Sequence, residues 1–211
     1  EFIDKSPDTV LIAVQGPDTI ELIQDRFEIP NKFSTNFTES FLYARTGYTG
    51  EDGVEIMANN EDAESLLTFL IEKGIKPCGL GSRDTLRLEA SLPLYGFELT
   101  EDITPVEASL NWTITNKNEY LGSNRINDQL SGESHKVLKK FTIDSRKIAR
   151  TETVGIAGET KGLVTSGNFS PVLNKSIGFI LFENMPSHDL IEFDIRGNLI
   201  EGNIVNKRFL S

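Results

Sequence analysis

With 211 residues, 38% of them hydrophobic and 13 of them phenylalanine, the chain can bury a core in one large or two small domains and is globular rather than disordered. Its 32 acidic residues outnumber 21 basic ones for a net charge of -11, which disfavours nonspecific binding to nucleic acid or to an anionic membrane; an acidic ligand must be met by a local basic patch. Cys78 is the only cysteine and His135 and His188 the only histidines, which excludes an internal disulfide and argues against a zinc site or a Cys-His nucleophilic pair.

No apolar run approaches the roughly 18 residues that a membrane-spanning helix needs. The N-terminus lacks the basic flank and hydrophobic segment of a signal peptide. Val10 to Val14 reads as a short buried strand ended by Gln15-Gly16-Pro17. Pro17 suits the first turn of a following helix, on which Ile20, Leu22, Ile23 and Phe27 form an apolar stripe. Pro30-Asn31 closes that helix, and residues 32–40 are polar with isolated Phe33 and Phe37, a loop or an irregular strand. The densest chemistry follows in R-T-G-Y-T-G-E-D-G-V-E-I, Arg45 to Ile56. Gly47, Gly50 and Gly53 recur at every third position, which a helix tolerates poorly at about 1 kcal/mol each. They fit a tight turn with positive φ between a strand at Phe41 to Arg45 and another at Val54 to Met57.

Asn59-Asn60 offers an N-cap to a helix in which Glu61 and Asp62 face the positive end of the dipole and Ala63, Leu66, Leu67 and Leu70 repeat at helical spacing as far as Lys73-Gly74. Ile75 to Cys78 is a strand or loop. Ser82 is the expected cap of the next helix, which carries Arg83, Leu86, Arg87, Leu88 and Ala90 and ends at Pro93. Arg83 and Arg87 lie one turn apart and can share a face. Trp112 to Thr115 is a candidate strand. The polar run 116–134, with one helical pattern at Asn124 to Leu130, is the expected linker. Six strands follow, at Val137 to Ile143, Thr153 to Ala157, Thr160 to Thr165, Ser176 to Phe182, Leu190 to Ile195 and Leu199 to Val205, with turns at Gly158-Glu159 and Gly197-Asn198.

The expected fold class is therefore α+β: helices packed on a mainly antiparallel sheet over residues 1–115, a linker at 116–134, and a small C-terminal all-β barrel or sandwich over 135–211. Within this frame the residues that carry chemistry cluster on the glycine-rich segment. A carboxylate fixed on a strand can accept two adjacent N–H donors of a flat heterocycle in one plane, and Glu55 is placed for that. Tyr48 offers an aromatic face beside it. Glu51 and Asp52 are expected to be solvated, and Tyr95 and Trp112 to be core residues, with a place on a pocket wall as the alternative. From the residues alone a surface hairpin with solvated acids is the favoured reading.

Five strings occur in order: L-I-A-V-Q-G-P, A-R-T-G-Y-T-G-E-D-G-V-E-I, R-D-T-L-R-L-E-A-S-L-P-L-Y-G, I-T-P-V-E-A-S-L-N-W and V-T-S-G-N-F-S-P. Together, over about residues 11 to 171, they resemble the aminomethyltransferase (T-protein) family of the glycine cleavage system. The resemblance implies tetrahydrofolate as cofactor and the lipoylated H-protein as partner, in a cytoplasmic or, in a eukaryote, mitochondrial-matrix setting. The implied reaction moves an aminomethyl group from the lipoyl arm to tetrahydrofolate, releasing ammonia and forming 5,10-methylenetetrahydrofolate. Carried over motif by motif, Glu55 bonds the 2-amino group and N3–H of the pterin and Arg83 belongs to the folate pocket; Tyr48, by its chemistry alone, suits one side of the flat ring or packing on the sheet. About a third of the family's chain precedes the first of these strings, and this chain opens at Glu1, so a fragment is expected. The family's catalytic carboxylate lies in that third, and no catalytic residue is matched here. Other folate-dependent one-carbon transferases or demethylases of the same fold, and non-enzymatic folate-binding relatives that assist iron-sulfur maturation, remain alternatives; Cys78 lies outside the cysteine motif of the last group.

Overall fold

The computed structural model describes residues 2–115 and 120–210. The chain divides into two compact units, Glu1–Leu86 and Arg87–Ser211, and the division falls inside one helix.

In the first unit, β1 (Thr9–Gln15), β2 (Thr35–Phe37), β3 (Phe41–Ala44) and β4 (Gly53–Asn59) form an antiparallel sheet in the order β1-β4-β3-β2. Helices α1 (Thr19–Ile23) and α2 (Asn60–Glu72) pack on it. Side chains alternate across a strand, so the register decides which residues meet the helices. Val14 pairs with Val54 and Ile12 with Ile56, and these residues join Tyr43, Ile23, Leu66 and Leu70 in the core. Each fully buried aliphatic side chain of this kind contributes about 1.5–3 kcal/mol. Ala13 and Ala44 flank Glu55, one residue out of phase, so Glu55 stands on the other face with the exposed Leu11, Leu42 and Met57. The sheet is antiparallel and covered by helices, as the sequence pattern predicts, and the undecided stretch 32–40 contains the short edge strand β2.

Helix α2 has the expected ends. The Asn59 side chain accepts from the Asp62 N–H at 2.8 Å. At the other end Gly74, at φ 81°, lets Gly74 and Ile75 donate to Ile71 and Leu70, a Schellman closure. Ile75 to Cys78 forms no strand. Helix α3 (Leu80–Glu89) begins ahead of Ser82, which therefore sits inside the helix instead of capping it. It stops four residues before Pro93: Ser91 adopts φ 61°, and Ser91 and Leu92 donate to Leu88 and Arg87 at 2.8 Å each, the same closure without a glycine.

The second unit contains α4 (Ser123–Leu130) and a closed barrel of β5 (Val137–Ile143), β6 (Val154–Ala157), β7 (Thr160–Ser170), β8 (Lys175–Phe182), β9 (Leu190–Ile195) and β10 (Asn198–Val205), in the order β10-β5-β8-β7-β6-β9. Closure selects the barrel over the sandwich. Its interior is filled by Phe141, Ile143, Val164, Ile180, Phe182 and Phe193. Trp112 lies in a 3-10 turn (Asn111–Thr113), not a strand, and it and Tyr95 are 78% and 74% exposed, so neither is a core residue. β7 runs past the expected end at Thr165 as far as Ser170, with a bulge between Val164 and Ser166 that keeps it paired to β8. Within this unit Arg87 is buried and donates to Glu98 at 3.2 Å and to the Ser166 hydroxyl at 2.8 Å. Of the linker expected at 116–134, residues 116–119 lie outside the described residues, and α4 occupies part of the remainder.

Candidate ligand-binding site

Residues 45–52 connect β3 to β4 as an eight-residue loop, longer than the tight turn predicted, and three sets of contacts fix it. At its base Arg45 forks onto Asp52, Nε to Oδ1 at 3.1 Å and Nη2 to Oδ2 at 2.7 Å. The Gly53 N–H also donates to Oδ1, at 3.0 Å. A bidentate guanidinium–carboxylate pair combines charge with geometry. The Arg45 hydrogen bonds hold the Asp52 carboxyl down from an ordinary 3.8 to about 2, helped by the Gly53 N–H and by the charges of Arg45 and Lys32. Asp52 is thus a partly buried structural anchor and not the solvated acid expected; Glu51 is exposed.

The second set belongs to Gln15, at the end of β1. Its Oε1 accepts from the Tyr48 N–H at 3.0 Å and from the Thr49 hydroxyl at 3.1 Å, while its Nε2 donates to the Thr46 carbonyl at 2.9 Å. One amide therefore closes over the loop from a position more than thirty residues earlier. This explains two of the glycines. A Cβ on Gly47 would fall 2.1 Å from Gln15 Oε1, and one on Gly53 would fall 2.2 Å from the Val14 carbonyl oxygen. Neither is among the positive-φ residues; of the three only Gly50, at 84°, meets the conformational need predicted for all of them.

The third set holds Glu55. Its Oε2 accepts from the Thr46 hydroxyl at 2.7 Å, and none of the described residues donates to Oε1. Thr46 is itself tied to Gln15 through its carbonyl, so the orientation of the carboxylate traces back to the β1 amide. Glu55, Gln15, Thr49, Cys78 and Arg83 line one cavity of about 490 Å³, together with apolar residues of β1 and α2. That volume suits a small molecule held by a few polar groups among apolar walls. The Arg83 guanidinium carbon stands 5.1 Å from the centre of the Tyr48 ring, within cation–π range. The structure therefore brings together Glu55 and Arg83 on the cavity wall, with Tyr48 held against Arg83.

Gln15 and the Arg45–Asp52 fork were not singled out from the sequence. The only signal for Gln15 is its place in the string L-I-A-V-Q-G-P, and for the fork the spacing of opposite charges across a glycine-rich loop.

Residues 1–118 match the family model described as the GCVT N-terminal domain, and residues 136–210 match that of the glycine cleavage T-protein C-terminal barrel domain. The chain belongs to the glycine cleavage T-protein (GCVT) family. Among curated relatives, the aminomethyltransferase of Thermosipho melanesiensis is 39% identical over 217 residues, covering 98% of this chain and 60% of the relative. That of Bacillus mycoides is 39% identical over 227 residues, covering 99% and 62%. A solved structure, the glycine cleavage system aminomethyltransferase T from Bartonella henselae, superposes with a TM-score of 0.86 at 27% identity, covering 96% of this chain and 60% of that one. The chain thus spans about 60% of the length of the curated relatives it matches. Both matched regions agree with the α+β sheet and the barrel found here.

Proposed function

We propose that the chain is the folate-binding and barrel portion of an aminomethyltransferase that takes an aminomethyl group from the lipoyl arm of H-protein and passes it to tetrahydrofolate, with release of ammonia. The observation that carries this reading is the state of Glu55: one carboxylate oxygen is fixed by Thr46, and none of the described residues donates to the other, in a cavity it shares with Arg83. A carboxylate so held accepts two N–H bonds from the edge of a pterin, the pattern offered by its 2-amino group and N3–H. Arg83 supplies the cation that an acidic folate needs in a protein of net charge -11, and its contact with Tyr48 fixes that side chain before ligand arrives. These residues bind and orient; the carboxylate that handles the proton and the developing iminium charge is not matched among residues 1–211.

Calorimetry with tetrahydrofolate on the parent and on Glu55→Ala and Glu55→Gln tests the reading. Loss of a charged partner from a double hydrogen bond costs about 1.5–3 kcal/mol, so affinity falls roughly tenfold to hundredfold in both variants. Unchanged affinity in Glu55→Ala would remove the carboxylate from the site and the proposal with it. The donor is read separately: lipoylated H-protein, and not a dimethylated amine, supports turnover by the whole protein.

A further inference from the structure

An acidic protein has carboxylates to spare for its lysines, yet one basic cluster in the second unit has none. Lys139 and Lys140 of β5 line a cavity of about 270 Å³ together with Ser91, Ser109 and Asn206, over a floor that includes Leu138 and Phe179. Neither lysine, nor Arg208 near them, lies within salt-bridge distance of a carboxylate among the described residues. Two acids close in sequence to the cavity wall are already engaged. Glu107 accepts from the Thr104 N–H at 2.7 Å and lies 3.5 Å from Arg125, and Glu89 accepts from the Ser170 hydroxyl.

Of the two hydroxyls on the cavity wall, that of Ser109 already donates to the Leu138 carbonyl at 2.8 Å, while that of Ser91 stays available to an oxyanion. Ser91 Oγ accepts from the Phe209 N–H at 3.1 Å, which leaves its own O–H to donate. Burial holds the Lys140 amine below the usual lysine range, and the positive charges of Lys139 and Arg208 push it further down. A half-buried ammonium among like charges is unfavourable unless an anion neutralises it.

We infer that this cavity is a binding site for a small oxyanion, a phosphate or carboxylate group, held by Lys140, which shares the Leu138 face of β5, with the Ser91 hydroxyl as an additional donor and Lys139 adding only its nearby charge. The site is separate from the one lined by Glu55 and stands whether or not that one takes folate.

The test uses the intact chain. Thermal melting is followed with inorganic phosphate and, in a parallel series, with glutarate, each against sodium chloride at matched ionic strength, and the Lys140 side chain is titrated by NMR with and without each anion. The expected result is a rise of a few degrees in melting temperature with at least one of the two oxyanions and an upward shift of the Lys140 titration in its presence. The stronger of the two series identifies the oxyanion preferred. Lys140→Gln should weaken binding about tenfold or more, and Lys140→Arg should retain it, which separates loss of charge from loss of fold. If neither oxyanion exceeds chloride, or if Lys139→Gln/Lys140→Gln keeps the full shift, the inference is overturned.

Discussion

Asp52 and Gln15 decide the geometry of the glycine-rich loop, each from one end. Asp52 is ionised under ordinary conditions because the Arg45 guanidinium bonds both its oxygens, and its folded-state value of about 2 lies below the ordinary 3.8. A lowered carboxyl contributes stability that is fully present above the unfolded value and lost as pH falls through the folded one. Asp52→Asn should therefore reduce stability by about 1 kcal/mol near neutral pH, discounted for a pair that keeps contact with water. The gap between parent and variant should close as pH is lowered from about 4 to about 2. Denaturant melts of both proteins across that window check it, and a gap that stays constant to pH 2 contradicts the assignment. At this scale the sequence displays the glycine spacing and the acids, but not the reason for them. Gly47 and Gly53 are small because Gln15 and Val14 approach them, and those residues come from a strand whose pairing with β4 is long-range. Glu55 is singled out in the sequence only by its place in the glycine-rich string and the resemblance that string carries, and its face follows from the pairing of β4 with β1 and β3.

Elements with strong local signals form where the pattern places them, and those governed by tertiary contacts do not. Helix α2 carries its cap, its apolar repeat and its terminal glycine in sequence, so both ends were legible. The sequence pattern ends β7 at Thr165, because Ser166, Gly167 and Asn168 are turn residues by composition, whereas the strand reaches Ser170. A bulge and continued pairing with β8 to Ser170↔Lys175 overrule that preference. The hairpin from β9 to β10 shows the finer limit. Its two-residue turn is Arg196-Gly197, one position earlier than the Gly197-Asn198 signal, with φ of 55° and 77°. Positive φ at both central positions is the type I′ pattern, for which Asn-Gly is preferred and arginine is strained. Arg196→Asn should accordingly stabilise the second unit by about 0.5–1 kcal/mol without altering the barrel. An unfolding midpoint at or below that of the parent would show that the arginine side chain makes a compensating contact.

At the scale of the whole molecule the two units solve the problem of strand edges differently. The barrel closes on itself, so every strand from β5 to β10 has two bonded neighbours, and β8 is buried along nearly its full length between β5 and β7. The four-stranded sheet is open: β1 and β2 are its edges, and the face bearing Glu55 also exposes Leu11, Leu42 and Met57. Short strands alternating with turns in the last 75 or so residues fit a barrel or a sandwich, and only the pairing of β9 with both β6 and β10 decides for closure. Openness of the first sheet was not legible, because edge position depends on strand order and not on any strand's own residues. Local opening costs least where few apolar contacts and few backbone bonds must be broken together. Native-state hydrogen exchange should therefore find the slowest amides on β8 and β5. The fastest strand amides should lie on β2, three residues long, mostly exposed and bonded on one side only. Amides of Thr35–Phe37 that persist as long as those of Ile177–Phe182 would mean that the edge is covered in solution, and the open sheet described here would have to be revised.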